Sequence, residues 1–178
     1  MMLETEGDIE WLNDLLGQSH RRSGAHLRSI IRAGERTPTA AQVVVALTGM
    51  RVLVVTTVSP SGKPRSSAVD GHFLHGRWVF TTSGDAVKAR DIVSRPWVSA
   101  AYVDAESFAA FAHGKAEVLM VSHPDRDAIE RHLTDHYGSS PATWGPEIVF
   151  VRVEPAWMVA YAPDASLLPS SADAIPLG

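Results

Sequence analysis

From Arg51 onward, the chain is a succession of short segments rich in β-branched and aromatic residues, separated by turns that contain proline or glycine. The first segment, Arg51–Val58, is too short for a buried helix and is predicted to be a strand. Residues 59–63 place proline and glycine in turn positions and predict a hairpin into residues 64–73. A His-Gly pair then predicts a second turn into a strand that begins at Arg77. Three consecutive antiparallel strands are therefore expected.

The second half of the chain continues the strand pattern. Residues 97–103, 147–153 and 157–161 are short apolar segments. A longer one, Phe108–Val121, carries Gly114 in its middle, which predicts a bulge or a sharp bend where a sheet curls. Six or seven strands with mostly short links predict an antiparallel barrel in one domain, mainly β with flanking helices (α+β).

Helical periodicity appears before the first strand and again before the last ones. Residues 8–17 carry apolar residues at helical spacing, with Asp8 expected as the N-cap and Gly17 as the stop. Another helix is expected to begin near Thr39, and residues 125–137 predict a helix in the second half. These segments predict an N-terminal helical extension and helices that flank the barrel.

Composition limits the class of protein. Hydrophobic residues make up 45% and charged residues 20% of the chain, as in soluble globular proteins, and the absence of cysteine excludes disulfides and thiolate chemistry. A formal net charge of −4 argues against a general nucleic-acid binder. The acidic N-terminus has no signal-peptide pattern, and no apolar run is long enough to span a bilayer. We therefore expect a cytoplasmic protein without nucleic-acid or membrane partners.

The chain is expected to have three regions. Residues 1–38 form the helical extension, residues 39–162 the barrel, and residues 163–178 a loosely ordered tail rich in serine, proline and alanine. The extension includes a basic arm. This arm either binds an acidic partner or the polyanionic tail of a ligand, or it is the solvated face of a short helix. The arginines of this arm are Arg21, Arg22, Arg28 and Arg32.

The segment Trp78–Arg90 has the features of a phosphate-binding site. An apolar strand runs into three hydroxyl residues, a Gly-Asp turn follows, and a short helical pattern carries Lys88 and Arg90. Hydroxyls at a strand end and free N–H groups of the following helix converge where the helix dipole favours an anion. Lys88 and Arg90 add charge-assisted hydrogen bonds. The alternative interpretation is a strand, an Asp85 N-cap and a solvated helix face.

Histidines are the remaining residues with metal-binding chemistry. His132 and His136 lie four apart on a predicted helix, where a metal site with Asp135 or Glu130 is conceivable. His72 is expected to be a strand residue rather than a ligand. Because no third ligand is indicated, the sequence predicts no metal site.

The order of five motifs resembles the pyridoxamine 5′-phosphate oxidase-like flavin and deazaflavin reductases over roughly residues 40–161. These motifs are strand and turn sequences that follow one another in the chain. They are Arg51-Val-Leu-Val-Val, Ser59-Pro-Ser-Gly-Lys-Pro64, Phe80-Thr-Thr-Ser with Lys88-Ala-Arg90, Arg95-Pro-Trp-Val, and Gly114-Lys-Ala-Glu-Val.

The resemblance implies a six-stranded split β-barrel of the FMN-binding type that forms a homodimer, with a flavin at each end of the interface. It implies that the arginine opening the first strand and the lysine after the Thr-Thr turn contact the phosphate, while apolar residues of the first strand lie beside the flavin ring. The cofactor-binding residues so implied are Arg51, Val52, Leu53, Val54, Phe80, Thr81, Thr82, Lys88 and Arg90. For Arg90, the alternative to phosphate contact is an ion pair with Asp91 or another neighbour.

The chain also departs from the family pattern. Ala86 stands where the family often has a serine, and the Arg-x-His substrate clamp of a true pyridoxamine phosphate oxidase is absent, so oxidation of vitamin B6 phosphates is not expected. No catalytic acid or base is assigned. Tyr102, Trp157 and Ser67 are candidates near the ring, with barrel core or dimer interface as the alternative.

The motifs and the family resemblance lead to three hypotheses for the function. The first is an oxidoreductase that passes a hydride or electrons between bound FMN and an unidentified small molecule. The second is a reductase that uses a deazaflavin coenzyme, whose polyanionic tail would lie on the basic arm. The third is a non-catalytic module that binds flavin or haem.

Overall fold

The structure is a computed structural model, and it describes residues 4–170. Five α-helices and six β-strands alternate along this part of the chain. The helices are α1 (Glu6–Arg22), α2 (Ala25–Ile30), α3 (Ala40–Ala46), α4 (Val87–Ser94) and α5 (Arg126–Tyr137). The strands are β1 (Met50–Val58), β2 (Pro64–Leu74), β3 (Arg77–Ser83), β4 (Trp97–Asp104), β5 (Phe108–Leu119) and β6 (Ile148–Tyr161).

The six strands form a closed antiparallel barrel in the order β1-β2-β3-β6-β5-β4. The expected antiparallel barrel is therefore confirmed, with six strands. Its closing seam is short, because β4 pairs with β1 only through residues 54–56 of β1. Strand β2, in contrast, pairs with the whole length of β1, from Met50 opposite His72 to Val58 opposite Pro64. The first half of β1 consequently has no strand partner on the β4 side.

The strands alternate between the barrel interior and the outside, as the pleat requires. Leu53 and Val55 of β1 lie in the core, whereas Val52 and Val54 are exposed. Strands β4 and β5 contribute mainly alanines to the interior, where they meet larger side chains such as Trp78 and Phe80 of β3. Large and small side chains thus fill the interior together.

The helices cover different parts of the barrel. Leu12 of α1 and Val43 of α3 belong to the main core cluster, so both helices extend the barrel core. Leu133 of α5 packs with Val79 and Phe150 in a second cluster on the outside of β3 and β6. Helix α4 contacts one end of β1, while Val52 and Val54 on the outer side of that strand stay exposed.

Helix α1 differs from its prediction at both ends. Thr5 is the N-cap, and Asp8 closes a capping box with it as the third helical residue. The helix runs past Gly17 to Arg22, because Gly17 does not take the positive φ with which glycine commonly ends a helix. Helix α3 begins as predicted, after a Thr39 N-cap.

Strand β6 is one continuous strand where two were predicted. It passes through Pro155, which cannot donate a backbone hydrogen bond. The register between β5 and β6 shifts between His113 and Gly114, directly opposite this proline. A bulge is one of the places where a sheet accepts proline, so the predicted bulge at Gly114 is confirmed and explains the unbroken strand.

Residues 163–170 pack against the body of the protein, unlike the loosely ordered tail expected from the sequence. Ala165 is buried in a short 3₁₀ helix, Ala165–Leu167, and the side-chain amide of Gln42 donates to its carbonyl at 2.7 Å. The rest of the predicted tail, residues 171–178, lies outside the described residues. Between residues 4 and 170, no helix is both long and apolar enough to cross a membrane.

Candidate functional site

A small polar pocket lies where α4 packs on one end of β1 and β2. Its volume is about 230 Å³. The pocket is lined by hydroxyl and cationic side chains together with one valine, namely Thr57, Arg65, Ser66, Ser67, Val87 and Lys88. Two cations and three hydroxyls around such a volume are the chemistry of an anion-binding site.

Lys88 stands between this pocket and the end of β3. Its Nζ donates to the Thr82 hydroxyl at 3.5 Å, so the structure brings together two of the residues expected to hold a phosphate. Lys88 is the second residue of α4, and the N-cap position is Ala86, which makes no side-chain capping bond. The predicted alternative of an Asp85 N-cap is therefore wrong, and the first N–H groups of α4 have no side-chain cap.

A buried carboxylate holds two of the residues that line the pocket. Asp91 of α4 accepts a hydrogen bond from the Thr57 hydroxyl at 3.1 Å and from Arg65 Nη1 at 3.3 Å. The Arg95 guanidinium lies 3.7 Å from its other oxygen. Asp91 is buried, while the Arg65 side chain is about half exposed. Arg65 is thus tied to α4 and keeps an open side toward the pocket.

The structure does not bring Arg51 to this pocket. The Arg51 guanidinium donates to the carbonyl of Ala46 at 3.0 and 3.2 Å, and it lies over the Tyr102 ring at 5.8 Å. Arg51 precedes Thr57 by six residues on one strand, a separation of about 20 Å. The cation that accompanies Lys88 is therefore Arg65, which sequence reasoning missed. The sequence feature that could have indicated Arg65 as a phosphate ligand is the polar run Arg-Ser-Ser after the hairpin turn.

Apart from Val52 and Val54, which are exposed, the remaining predicted cofactor residues lie in three environments. Leu53 and Phe80 are buried in the barrel core, so only their backbone could reach a ligand. Thr81 lies partly buried beside Thr82 near the end of β3. Arg90 is exposed, and its Nη1 donates to the carbonyl of Asp85 at 2.7 Å, outside the pocket.

An apolar outer surface begins beside the pocket. The Ser66 hydroxyl, which lines the pocket, is bonded to the Thr56 hydroxyl at 2.8 Å, and Thr56 shares the outer face of β1 with Val54 and Val52. We call Val52, Val54, Val103 and Phe111 the outer apolar face; their exposed fractions are 59%, 42%, 55% and 37%. Val54 is paired with Ala101, and Ala101 with Phe111, so part of this face crosses three strands.

Two of the three candidates near the ring have other contacts. Trp157 stacks on His113, with ring centroids 4.7 Å apart, and its Nε1 donates to the Ser19 carbonyl. Tyr102 lies between Arg51 and Phe108 on the barrel side. Ser67 lines the anion pocket.

The histidines of α5 meet a third histidine from β2. His72 is buried, and its Nδ1 lies 3.2 Å from His132 Nε2 while its Nε2 lies 3.0 Å from the Tyr137 hydroxyl. Burial, together with the nearby His132 and His136, lowers the pKa of His72 to about 4. Across residues 4–170, no group of three or more histidine and acidic side chains has the geometry to hold a metal ion.

The basic arm lies away from the anion pocket and uses part of its charge internally. Helix α1 packs on β6, which is not a neighbour of β1 or β2 in the barrel. Arg32 pairs with Glu35, and Arg28 donates to the backbone carbonyls of Ser23 and Arg21. Within one chain, the arm therefore does not extend the anion pocket.

These features define a six-stranded antiparallel barrel with an anion pocket at the end of two strands and an apolar face beside it. The sequence model of the pyridoxamine 5′-phosphate oxidase family matches residues 39–161, more than half of the chain. The protein belongs to this family. No curated protein matches the chain.

Solved structures share the fold at low sequence identity. The conserved hypothetical protein Rv2991 of Mycobacterium tuberculosis is 20% identical, with a TM-score of 0.61 over 78% of this chain and 92% of that one. The haem storage protein HutZ of Vibrio cholerae is 14% identical, with a TM-score of 0.54 over 62% of this chain and 86% of that one. Atu2129 of Agrobacterium tumefaciens, of unknown function, is 19% identical, with a TM-score of 0.55; the match covers 65% of this chain and 52% of Atu2129.

Proposed function

We propose that the protein is a flavin-dependent oxidoreductase that binds FMN with its phosphate in the anion pocket. The observation that carries this proposal is the convergence of Lys88, Arg65 and three hydroxyls around about 230 Å³. A phosphate monoester carries up to two negative charges and three acceptor oxygens, which two cations and several hydroxyls can satisfy. The donor set therefore fits the group that membership of this family implies.

The chain has a separate role for each part of the site. Lys88 and Arg65 neutralise the phosphate, and the uncapped N-terminus of α4 adds backbone donors. Asp91 positions Arg65 without touching the phosphate. The outer apolar face offers an apolar surface for a flat aromatic ring next to the pocket. Bound FMN would supply the hydride and electron chemistry, while the protein supplies binding, orientation and exclusion of water.

We propose that the functional unit is a homodimer that covers the outer apolar face. Four large apolar side chains exposed on adjacent strands are a typical interaction surface, because isolated domains rarely leave such a patch in water. A second copy over this face would also enclose a ring lying beside the pocket. The substrate is then a small molecule that enters between the two copies.

FMN is favoured over a deazaflavin coenzyme because of where the basic arm lies. A deazaflavin would use the same phosphate pocket but needs further cations for its polyanionic tail. Within one chain those cations lie on the β6 side of the barrel, and two of the four are already paired. The non-catalytic module is distinguished from the enzyme by whether the bound flavin can be reduced.

Titration of the purified protein with FMN and with the deazaflavin coenzyme, followed by absorption and fluorescence, tests the proposal. We expect saturable FMN binding at one per chain, and reduction of the bound flavin by NADH or NADPH. Lys88→Ala should weaken FMN binding about ten- to a hundredfold, because a charge-assisted phosphate contact is lost.

The matched control is Lys63→Ala, which removes an exposed lysine of the β1–β2 turn outside the pocket. Equal FMN affinity of the two variants would overturn the phosphate site. Saturable FMN binding without reduction by either nucleotide or by a chemical donor would favour the non-catalytic module.

A further inference from the structure

A second cavity, of about 420 Å³, lies between α1, the segment from α2 to α3, and β6. Ten of its thirteen lining residues precede residue 39. The region that matches the family begins at residue 39, so this cavity is built mainly by the N-terminal extension. It is separate from the anion pocket, with which it shares no lining residue.

The floor of the cavity is apolar. Ile31 and Val159 are buried there, and Leu16 of α1 lies opposite the strand. Pro38 and Ala160 complete this surface. A floor of this composition favours an aliphatic or aromatic group over a sugar or a nucleotide.

Hydrogen bonds fix the positions of the helices that form the walls of the cavity. His20 Nε2 lies 2.7 Å from the carbonyl oxygen of Ile31, which ties α1 to the end of α2. Since a carbonyl only accepts, Nε2 carries the hydrogen. Asn13 Oδ1 accepts from the backbone N–H of Ala40 at 2.9 Å, which ties α1 to α3. The cavity is therefore formed before any ligand binds.

One cation at the cavity wall is free to bind an anion. A Cβ added at Gly17 would lie 3.2 Å from Arg21 Nη1, so the missing side chain at 17 lets the Arg21 guanidinium lie across this wall. Within residues 4–170, no ion pair or hydrogen bond engages that guanidinium, in contrast to Arg32, which pairs with Glu35.

We propose that this cavity binds a small amphipathic monocarboxylate. Its apolar chain lies against Leu16, Ile31 and Val159, and its carboxylate pairs with Arg21. A single guanidinium matches a carboxylate, because its planar pair of N–H donors fits two oxygens and one negative charge. This site does not depend on the proposed flavin chemistry.

Isothermal titration calorimetry with octanoate, hexanoate and 1-octanol, all below their aggregation concentrations, tests the proposal. We expect one octanoate per chain. Hexanoate should bind about fifteenfold more weakly, because each methylene group buried in the apolar floor changes affinity about fourfold. Octanol should bind more weakly than octanoate because it has no charge for Arg21.

Two variants, with a third as their control, separate this cavity from other apolar surfaces such as the outer apolar face. Arg21→Gln should weaken octanoate binding about fivefold, as expected for an exposed ion pair, and leave octanol binding unchanged. Arg22→Gln, which alters an arginine that does not line the cavity, should change neither. Ala33→Trp places a large side chain from an exposed loop position into the cavity and should abolish the binding of both.

No octanoate binding to the unaltered protein would overturn the proposal. Equal affinity for octanoate and octanol would overturn the assignment of Arg21. Unchanged octanoate binding by Ala33→Trp would place the ligand elsewhere.

Discussion

Arg65 Nη1 of β2 lies 3.3 Å from Asp91 Oδ2 of α4, and this pair ties a lining residue of the anion pocket to the helix that carries Lys88. The same carboxylate oxygen accepts the Thr57 hydroxyl of β1. One buried carboxylate thus joins the three elements whose side chains surround the pocket. Asp91 and Lys88 are three residues apart on α4, so they lie on the same side of that helix.

Replacement of Asp91 by asparagine should destabilise the protein. The amide can still accept from Thr57, but it presents an N–H₂ group or a neutral oxygen to Arg65. We expect the free energy of unfolding, measured by urea denaturation, to fall by about 1–3 kcal/mol. Asp104→Asn, at an exposed position on β4, should change it by less than about 0.5 kcal/mol. Equal losses in the two variants would contradict the role of Asp91.

Arg65 and Arg51 are rival sources of the second phosphate cation, and their neutral variants separate them. Arg65→Gln should weaken FMN binding about tenfold or more, because a charged donor leaves the pocket. Arg51→Gln should leave FMN affinity within about twofold of the original, because its guanidinium binds the carbonyl of Ala46 far from the pocket. The opposite order of effects in a fluorescence titration would restore Arg51 as the phosphate ligand.

The outer apolar face should control the oligomeric state. Val54→Asp places a charge in the middle of this face. We expect light scattering to show a dimer for the unaltered protein and a monomer for this variant. Val121→Asp, at a position that is 84% exposed beyond the end of β5, should leave the dimer intact. A monomeric unaltered protein would remove the basis of the proposed dimer.

Sequence periodicity was sufficient to predict the barrel. Each of its six strands occupies a segment predicted from β-branched residues and turns. Their number and short links predicted the antiparallel barrel, and the family resemblance narrowed six or seven strands to six. Strand-end details depended on tertiary context. Two strands, residues 147–153 and 157–161, were predicted where β6 is continuous, because the missing N–H of Pro155 falls at the bulge opposite Gly114.

The candidate site was predicted in part. Lys88 and Thr82 follow one another closely in the sequence, so a single strand-turn-helix segment brings them together. Arg65 and Asp91 are 26 residues apart and meet only because α4 folds back onto β2. An aspartate in a short polar helix looks solvated in the sequence, and nothing local indicates that it becomes buried.

Gly114, the single glycine of β5, should not tolerate substitution. An alanine Cβ there would lie 2.7 Å from Cα of Pro155 and would also overlap the carbonyl oxygen of Glu154. Both are backbone atoms of a paired strand and cannot move aside without breaking the β5–β6 ladder. We expect Gly114→Ala to lower the free energy of unfolding by about 3 kcal/mol.

The matched variant for Gly114→Ala is Gly145→Ala, whose Cβ would meet only Ile148 at an ordinary 3.6 Å. Its effect on the free energy of unfolding should stay below about 1 kcal/mol. A loss of stability in Gly114→Ala as small as that in Gly145→Ala would show that the bulge can relax.

His72 should make the protein sensitive to acid. In the folded chain its pKa is lowered to about 4, mainly by burial and then by His132 and His136. In the unfolded chain it returns to its ordinary value of about 6.5. When the pKa of a histidine is lower in the folded chain than in the unfolded chain, its contribution to the free energy of unfolding is fully present only above the unfolded pKa. That contribution is lost as the pH falls from about 6.5 to 4, because the unfolded chain takes up the proton first.

Between pH 7 and pH 4.5, this linkage should remove about 2 kcal/mol from the free energy of unfolding. His72→Gln cannot take up that proton, so its stability should fall by about 2 kcal/mol less than that of the unaltered protein over the same interval. The comparison uses each protein's own value at pH 7, so a general loss of packing in the variant cancels. His26→Gln, which alters an exposed histidine of α2, should follow the unaltered protein. Parallel pH profiles for His72→Gln and the unaltered protein would mean that His72 does not stay neutral when α5 packs over it.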